Sequence, residues 1–177
     1  YEQLVIESAK KAVDKLWRLG LAAKEVKISA AGFSLGAGFA AHFAVDMKAD
    51  QLIMLGPFET LEEIARLKRS RLAKWMGAAG LLETRTWLFE YAEASTGLIT
   101  IIHGTADEMV PFYMGENLAR SAPAFFPQKS DESSNRLNFH AFKGVDHNLL
   151  RKPQVVEILK KQVGLTKGIE YSEKPRS

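Results

Sequence analysis

Nine residues constrain this chain more than any others: Ala30-Ala31-Gly32-Phe33-Ser34-Leu35-Gly36-Ala37-Gly38. They join an alternating apolar run to a run of small apolar residues, and the junction reads G-x-S-x-G. A strand that turns abruptly into a helix has this pattern, with the serine at the apex. So tight a turn forces its apex residue into strained backbone geometry and lifts the hydroxyl clear of the sheet. Side chains two residues to either side would collide across the turn, a clash that glycines at 32 and 36 avoid. Alone the pattern is weak. With Gly and Ser each at about 7% of residues, chance supplies it in roughly 6% of chains this long, so its weight depends on what else the chain carries.

The rest of the 177-residue chain reads as alternating helices and strands. Residues 2–19 place Val5, Ala9, Ala12, Val13 and Leu16 at helical spacing before Gly20, which predicts a surface helix packed through that face. Residues 25–32 begin with alternation and predict a strand. The run from Leu35 to Val45 is apolar nearly all round, as in a buried helix. Short buried strands are expected at 51–56 and at 97–103, the second apolar and β-branched. Between them, residues 57–96 carry no strand pattern and predict an insert of helices near 59–69, 72–76 and 83–94. Pro111 suits the first position of a helix running to Ser121. Residues 122–135 read as a loop, 137–143 as a strand and 153–163 as a last amphipathic helix. The polar tail from 164 to 177 is expected to be mobile. This order predicts one α/β domain over residues 1–163, built on a parallel sheet with helices on both faces.

In such sheets, sites form beyond the carboxyl ends of the strands. The first strand leads into Ser34 and the second into Gly56-Pro57-Phe58. The third leads into His103-Gly104-Thr105-Ala106-Asp107-Glu108-Met109-Val110-Pro111, and the fourth into Gly144-Val145-Asp146-His147-Asn148. A serine, an acid and a histidine therefore leave successive strands at one edge, in the order Ser, Asp, His.

These motifs resemble the C-terminal part of an α/β-hydrolase-fold serine hydrolase, a family with that chain order. The resemblance rests on Gly32-Phe33-Ser34-Leu35-Gly36, on His103-Gly104-x-x-Asp107-x-x-Val110-Pro111 and on Gly144-x-x-His147-Asn148, and covers residues 1–163. The GFSLG wording and the short insert look closest to the esterase, acyl-thioesterase and dienelactone-hydrolase-like branches. The resemblance implies hydrolysis of a carboxylic ester or thioester, with Ser34 as nucleophile at the "nucleophile elbow". His147 would be the base and then the acid, and Asp107 the residue that orients it. The Leu35 N–H, at a helix N-terminus, would be one oxyanion donor. Phe58, Trp75 and Met109 are candidates for the substrate pocket. A catalytically silent binding or assembly module on the same fold is the alternative reading.

Each singled-out residue also has a plainer reading. Ser34 is a natural N-cap for the helix that follows it. Glu108 and Asp146 neighbour the proposed acid and base and are alternatives to Asp107. His103, at the end of a buried strand, reads as a structural hydrogen-bonder, and His42 and His140 as packing or surface residues. His103, Asp107 and His147 lack metal-ligand spacing, so neither metal nor organic cofactor is expected. The basic run Arg66, Lys68, Arg69, Arg71, Lys74 reads as a solvated helix face. A net charge of +3 argues for no particular partner and no nucleic acid is expected, since nucleic-acid binders concentrate such charge into a patch. No apolar run reaches the roughly 18 residues of a membrane span. The chain has no cysteine, which excludes disulfides and thiolate chemistry.

In the family it resembles, the serine-bearing strand is central, and a loop after an earlier strand supplies the second oxyanion donor. Here that strand is the first, and an unpaired strand ladder is a feature that natural proteins avoid. The reading is therefore of a C-terminal portion whose N-terminal half comes from the same or a partner chain. The 177 residues alone are expected to be poorly soluble or inactive, and robust ester hydrolysis by them would contradict this.

Overall fold

The computed structural model describes residues 2–20, 27–68, 83–127 and 136–164. The helix expected near 72–76, with Trp75, lies outside them, as do most of the basic run, part of the loop after Phe126 and the tail beyond Gly164. The described elements follow the expected order. They are α1 (Glu2–Arg18), β1 (Ser29–Phe33), α2 (Leu35–Met47), β2 (Gln51–Leu55), α3 (Leu61–Lys68), α4 (Thr84–Ala94), β3 (Leu98–Gly104), α5 (Phe112–Ser121), β4 (Leu137–Phe142) and α6 (Pro153–Gln162). Single 3-10 turns lie at Ala122–Phe125 and Leu149–Arg151.

The four strands form one parallel sheet in the order β1-β2-β3-β4. Alternation along the strands divides the core in two. Leu52, Met54, Ile99 and Ile101 face one side, where α2, α4 and α5 cover them through Ala37, Ala41, Ala44, Leu88, Tyr91 and Leu118. Ile53, Leu55 and Ile102 face the other, covered by Leu149 and by Val155 of α6. β2 is buried along its whole length, which explains why it reads as a continuous apolar run rather than an alternating one. The small side chains of α2 let its backbone lie close on β1 and β2. Lys48, in the left-handed region, ends that helix and donates to the carbonyls of Ala44 and Val45.

The helix α1 packs differently from its expected face. Ile6 is buried, and Ala9, Lys10, Val13 and Trp17 are half-buried, whereas Val5, Ala12 and Leu16 are exposed. The buried stripe is rotated by one residue because α1 rests on α2, where Lys10 reaches Asp46 at 3.3 Å. Leu4, Val5, Leu16 and Leu19 stay exposed, and among the described residues β1 pairs on one side only. No described helix is long and apolar enough to cross a membrane.

Tyr91 ties the insert to the sheet. Its buried hydroxyl donates to the Ala49 carbonyl at 2.7 Å, across the turn between α2 and β2. Gly97 makes room for it, since a Cβ there would fall on that hydroxyl. Tyr91→Phe should lower the unfolding free energy by about 1–3 kcal/mol in urea titrations, because it removes the donor facing a buried carbonyl. Gly97→Ala should cost at least as much.

Candidate active site

The strand register places the carboxyl ends side by side. Phe33 pairs with Leu55, Leu55 with Ile102, and Gly104 with Phe142. The segments leaving these ends carry Ser34, Gly56, Asp107 and His147.

Ser34 sits between β1 and α2 with φ 53° and ψ −117°. The only other described non-glycine residue at positive φ is Lys48, whose ψ of 49° is ordinary left-handed helix. The Ser34 conformation costs about 1–3 kcal/mol and persists only where its surroundings impose it. Here the Ser34 N–H donates to the Leu55 carbonyl at 2.8 Å, and the Ser34 carbonyl accepts from Ala37 N–H at 2.9 Å. The hydroxyl makes no capping bond to α2, so the N-cap reading does not account for this serine. A Cβ on Gly32 would fall on the Gly36 carbonyl, as the turn geometry requires. Gly36 departs from expectation: among the described residues a Cβ there would meet nothing within 4 Å. The turn is crowded on its strand side only, where Gly32 passes under the first turn of α2. Leu35 is 43% exposed and opens α2, so its N–H belongs to the first turn, whose donors have no partner within the helix.

Asp107 and His147 are brought together directly. Asp107 is buried, and each of its oxygens has a defined role. Oδ1 accepts the N–H groups of Met109 at 2.9 Å and Val110 at 2.8 Å, which folds the loop back on its own carboxylate. Oδ2 accepts from His147 Nδ1 at 2.7 Å, which leaves Nε2 of a neutral imidazole as its acceptor. The loops bearing the two residues are stitched together. Thr105 N–H donates to Phe142, Ala106 N–H donates to Val145, and Gly144 N–H donates to the Thr105 hydroxyl. Gly104 allows this approach, since a Cβ there would strike the Val145 carbonyl. The His147 ring rests on Phe33, the residue preceding Ser34, with centroids 4.7 Å apart.

The alternative acids are placed elsewhere. Asp146 is exposed and accepts from the backbone and side-chain amides of Asn148 at 3.0 and 3.1 Å. Those bonds hold its carboxyl below the usual range. Glu108 is exposed. His42 stacks on Trp87 between α2 and α4, and His140 lies half-buried in β4. Of the candidate pocket residues, Phe58 is 2% exposed and packs with Leu61, Val110 and Met114, so its side chain supports the Asp107 loop rather than offering a surface to substrate. Met109 is 61% exposed beside Asp107. No three His, Asp or Glu side chains among the described residues converge as metal ligands.

Two glycines, Gly56 and Gly115, shape the surroundings of these side chains. Gly56, at φ +52°, follows β2 and donates to the Ile102 carbonyl at 2.8 Å. Its Cα faces both partners of the Asp107–His147 hydrogen bond: a Cβ there would lie 3.5 Å from His147 Cε1 and 3.6 Å from Asp107 Oδ2. Gly115 of α5 lies under His103, with no room for a methyl group. Gly56 ends a buried strand just before a proline, a signal that marks a turn without revealing what lies above it.

No protein-family model and no curated relative matches the sequence. Solved structures match its fold. An α/β serine hydrolase homologue from Coxiella burnetii superposes with a TM-score of 0.53 at 20% identity, over 92% of this chain and 58% of its own. A monoacylglycerol lipase from Paleococcus ferrophilus gives 0.54 at 17% identity, over 90% and 74%. The acylaminoacyl peptidase of Pyrococcus horikoshii gives 0.62 at 12% identity, over 89% and 28%. The chain has the α/β-hydrolase fold, and it spans little more than half of the first of these structures and about a quarter of the last.

One consequence concerns pH. His103 is wholly buried, and burial lowers its pKa from the ordinary 6.5, against the opposing effect of the bond to Val110. The unfolded chain therefore binds a proton that the folded chain refuses, and stability rises with pH in that window. The unfolding free energy should fall as pH drops below about 6.5. In His103→Gln this contribution should be absent, which flattens the dependence in denaturant titrations at pH 5 to 7.

Proposed function

We propose that this chain carries the catalytic residues of a serine hydrolase that cleaves a carboxylic ester or thioester through an acyl-enzyme. The observation that carries this reading is the 2.7 Å bond between Asp107 and His147, made at the same sheet edge as the strained Ser34. The names of the structural neighbours, a serine hydrolase homologue and a monoacylglycerol lipase among them, support the same chemistry.

A serine hydroxyl is a weak nucleophile until a neighbouring base removes its proton. In the proposed cycle His147 Nε2 takes the proton as Ser34 Oγ attacks the carbonyl carbon, and the carbonyl π electrons move onto oxygen. The resulting oxyanion lies at the N-terminus of α2, where the Leu35 N–H and the helix dipole stabilise it. Asp107 keeps the imidazole in its Nδ1–H tautomer and stabilises the imidazolium as it forms. Collapse of the intermediate expels the alcohol or thiol, which leaves with the proton from His147. Water then repeats the sequence on the acyl-enzyme, releasing the acid and restoring Ser34.

The strained conformation of Ser34 serves this reading. It carries the hydroxyl away from the α2 N–H groups that would otherwise bind it. Asp107, with two backbone donors on one oxygen, keeps the other for His147.

In the full-length protein, Ser34→Ala should lower kcat on a short-chain nitrophenyl ester by at least about 10³-fold while leaving the fold intact by circular dichroism. Asp107→Asn should lower it by about 10³- to 10⁴-fold, because the amide favours the wrong imidazole tautomer. Full turnover by either variant would overturn the assignment.

A further inference from the structure

His103 takes no part in the proposed cycle, yet it is wholly buried beside Asp107. Its Nε2 lies 3.0 Å from the Val110 carbonyl and 3.5 Å from Asp107 Oδ2. A carbonyl can only accept, so Nε2 carries the proton. Nδ1 is then the bare nitrogen. It has no hydrogen-bond partner and is pressed against Gly115 of α5, while the ring stands nearly perpendicular to that of Phe112 with centroids 5.8 Å apart. The titratable groups that face the ring are Asp107 and, more distantly, His147, while α5 presents Phe112 and Gly115 to it. Burial lowers the pKa of the ring below the ordinary imidazole value and so favours its neutral form.

This geometry closes a short chain of contacts. Val110 gives its N–H to Asp107 Oδ1 at 2.8 Å and takes the His103 N–H on its carbonyl. The residue that anchors the carboxylate is therefore fixed at both ends. Nε2, the protonated and therefore positive end of the His103 ring, also lies 3.5 Å from Oδ2, the oxygen that accepts from His147. At 3.5 Å this is a charge–dipole contact rather than a second hydrogen bond, but between two fully buried side chains it is little screened.

We infer that His103 is a positioning residue for the Asp107 carboxylate, acting through Val110 on Oδ1 and directly on Oδ2. The inference rests on reading Ser34, His147 and Asp107 as a triad. An apolar ring of the same size would fill the space under α5, but it would leave the Val110 carbonyl buried without a donor and Oδ2 with His147 alone. Outer hydrogen-bond partners of metal ligands change activity by about 10- to 100-fold when removed, and an effect of that order is expected for a partner of Asp107.

The test compares wild type with His103→Leu, which removes the donor, and His103→Gln, which keeps one. Two readouts separate positioning from mere packing. The first is the downfield proton resonance of His147 Nδ1–H, which reports its bond to Asp107. The second is the split between kcat and KM on a short-chain ester. In His103→Leu the resonance should shift or broaden away, with kcat down about 10- to 100-fold and KM little changed; His103→Gln should restore both. An unchanged resonance in His103→Leu, or equal loss in the two variants, overturns the inference. Should His103→Leu not fold, ring ¹⁵N shifts of the wild type decide: the Nε2–H tautomer at His103 supports the inference, and the Nδ1–H tautomer overturns it. Ser34→Ala tests the underlying reading separately. Turnover that survives that change removes the triad, while the His147 resonance still reports whether His103 holds Asp107.

Discussion

The register of the parallel sheet sets everything else in this protein. Phe33, Leu55 and Ile102 stand in one row across β1, β2 and β3, and Phe142 of β4 pairs with Gly104 two residues further on. A slip of one residue in any ladder would turn side chains to the opposite face and move one loop away from the others. Two apolar layers guard against such a slip. Leu52, Met54, Ile99 and Ile101 lie under α2 and α4, while Ile53, Leu55 and Ile102 lie under α6. These ladders bring the segments that carry Ser34, Asp107 and His147 to one edge of the sheet.

Close backbone approach then turns alignment into geometry. Gly32 lets the first turn of α2 cross directly over β1, Gly104 lets the His147 loop lie on the Asp107 loop, and Gly56 keeps space open beneath the Asp107–His147 pair. Polar groups fill the remaining needs in order. Asp107 uses one oxygen to fold its own loop and the other to hold His147, and Val110 is tied at both ends. The strain stored at Ser34 is local, while the packing that sustains it is spread over α2, β1 and β2. This is the division expected of a site whose chemistry depends on preorganisation.

Much of this was legible in the residues. The G-x-S-x-G junction, the apolar strands and the three polar loops in order were enough to expect a parallel sheet with Ser34, Asp107 and His147 at one edge, and the structure places all three there. In the sequence, only resemblance separated Asp107 from Glu108 and Asp146; in the structure Asp107 bonds His147 while Asp146 is engaged with Asn148. What stayed hidden concerns orientation. The helix α1 has apolar residues at 4, 5, 6, 9, 12, 13, 16 and 17, enough for two overlapping faces, and the surface of α2 selects the one centred on Ile6. Phe58 read as a pocket residue because apolar character at a strand end does not say which way a side chain turns. Gly36 read as a steric necessity because the turn's crowding is one-sided, which spacing alone does not reveal.

The central claim is that Ser34 is a nucleophile activated by His147. Treating the protein with a fluorophosphonate and mapping the adduct by peptide mass spectrometry tests it most directly. The account predicts a single phosphonyl group on the Ser34 peptide, with labelling lost when His147 is replaced by alanine. An unlabelled Ser34, or an adduct on another residue, would contradict it.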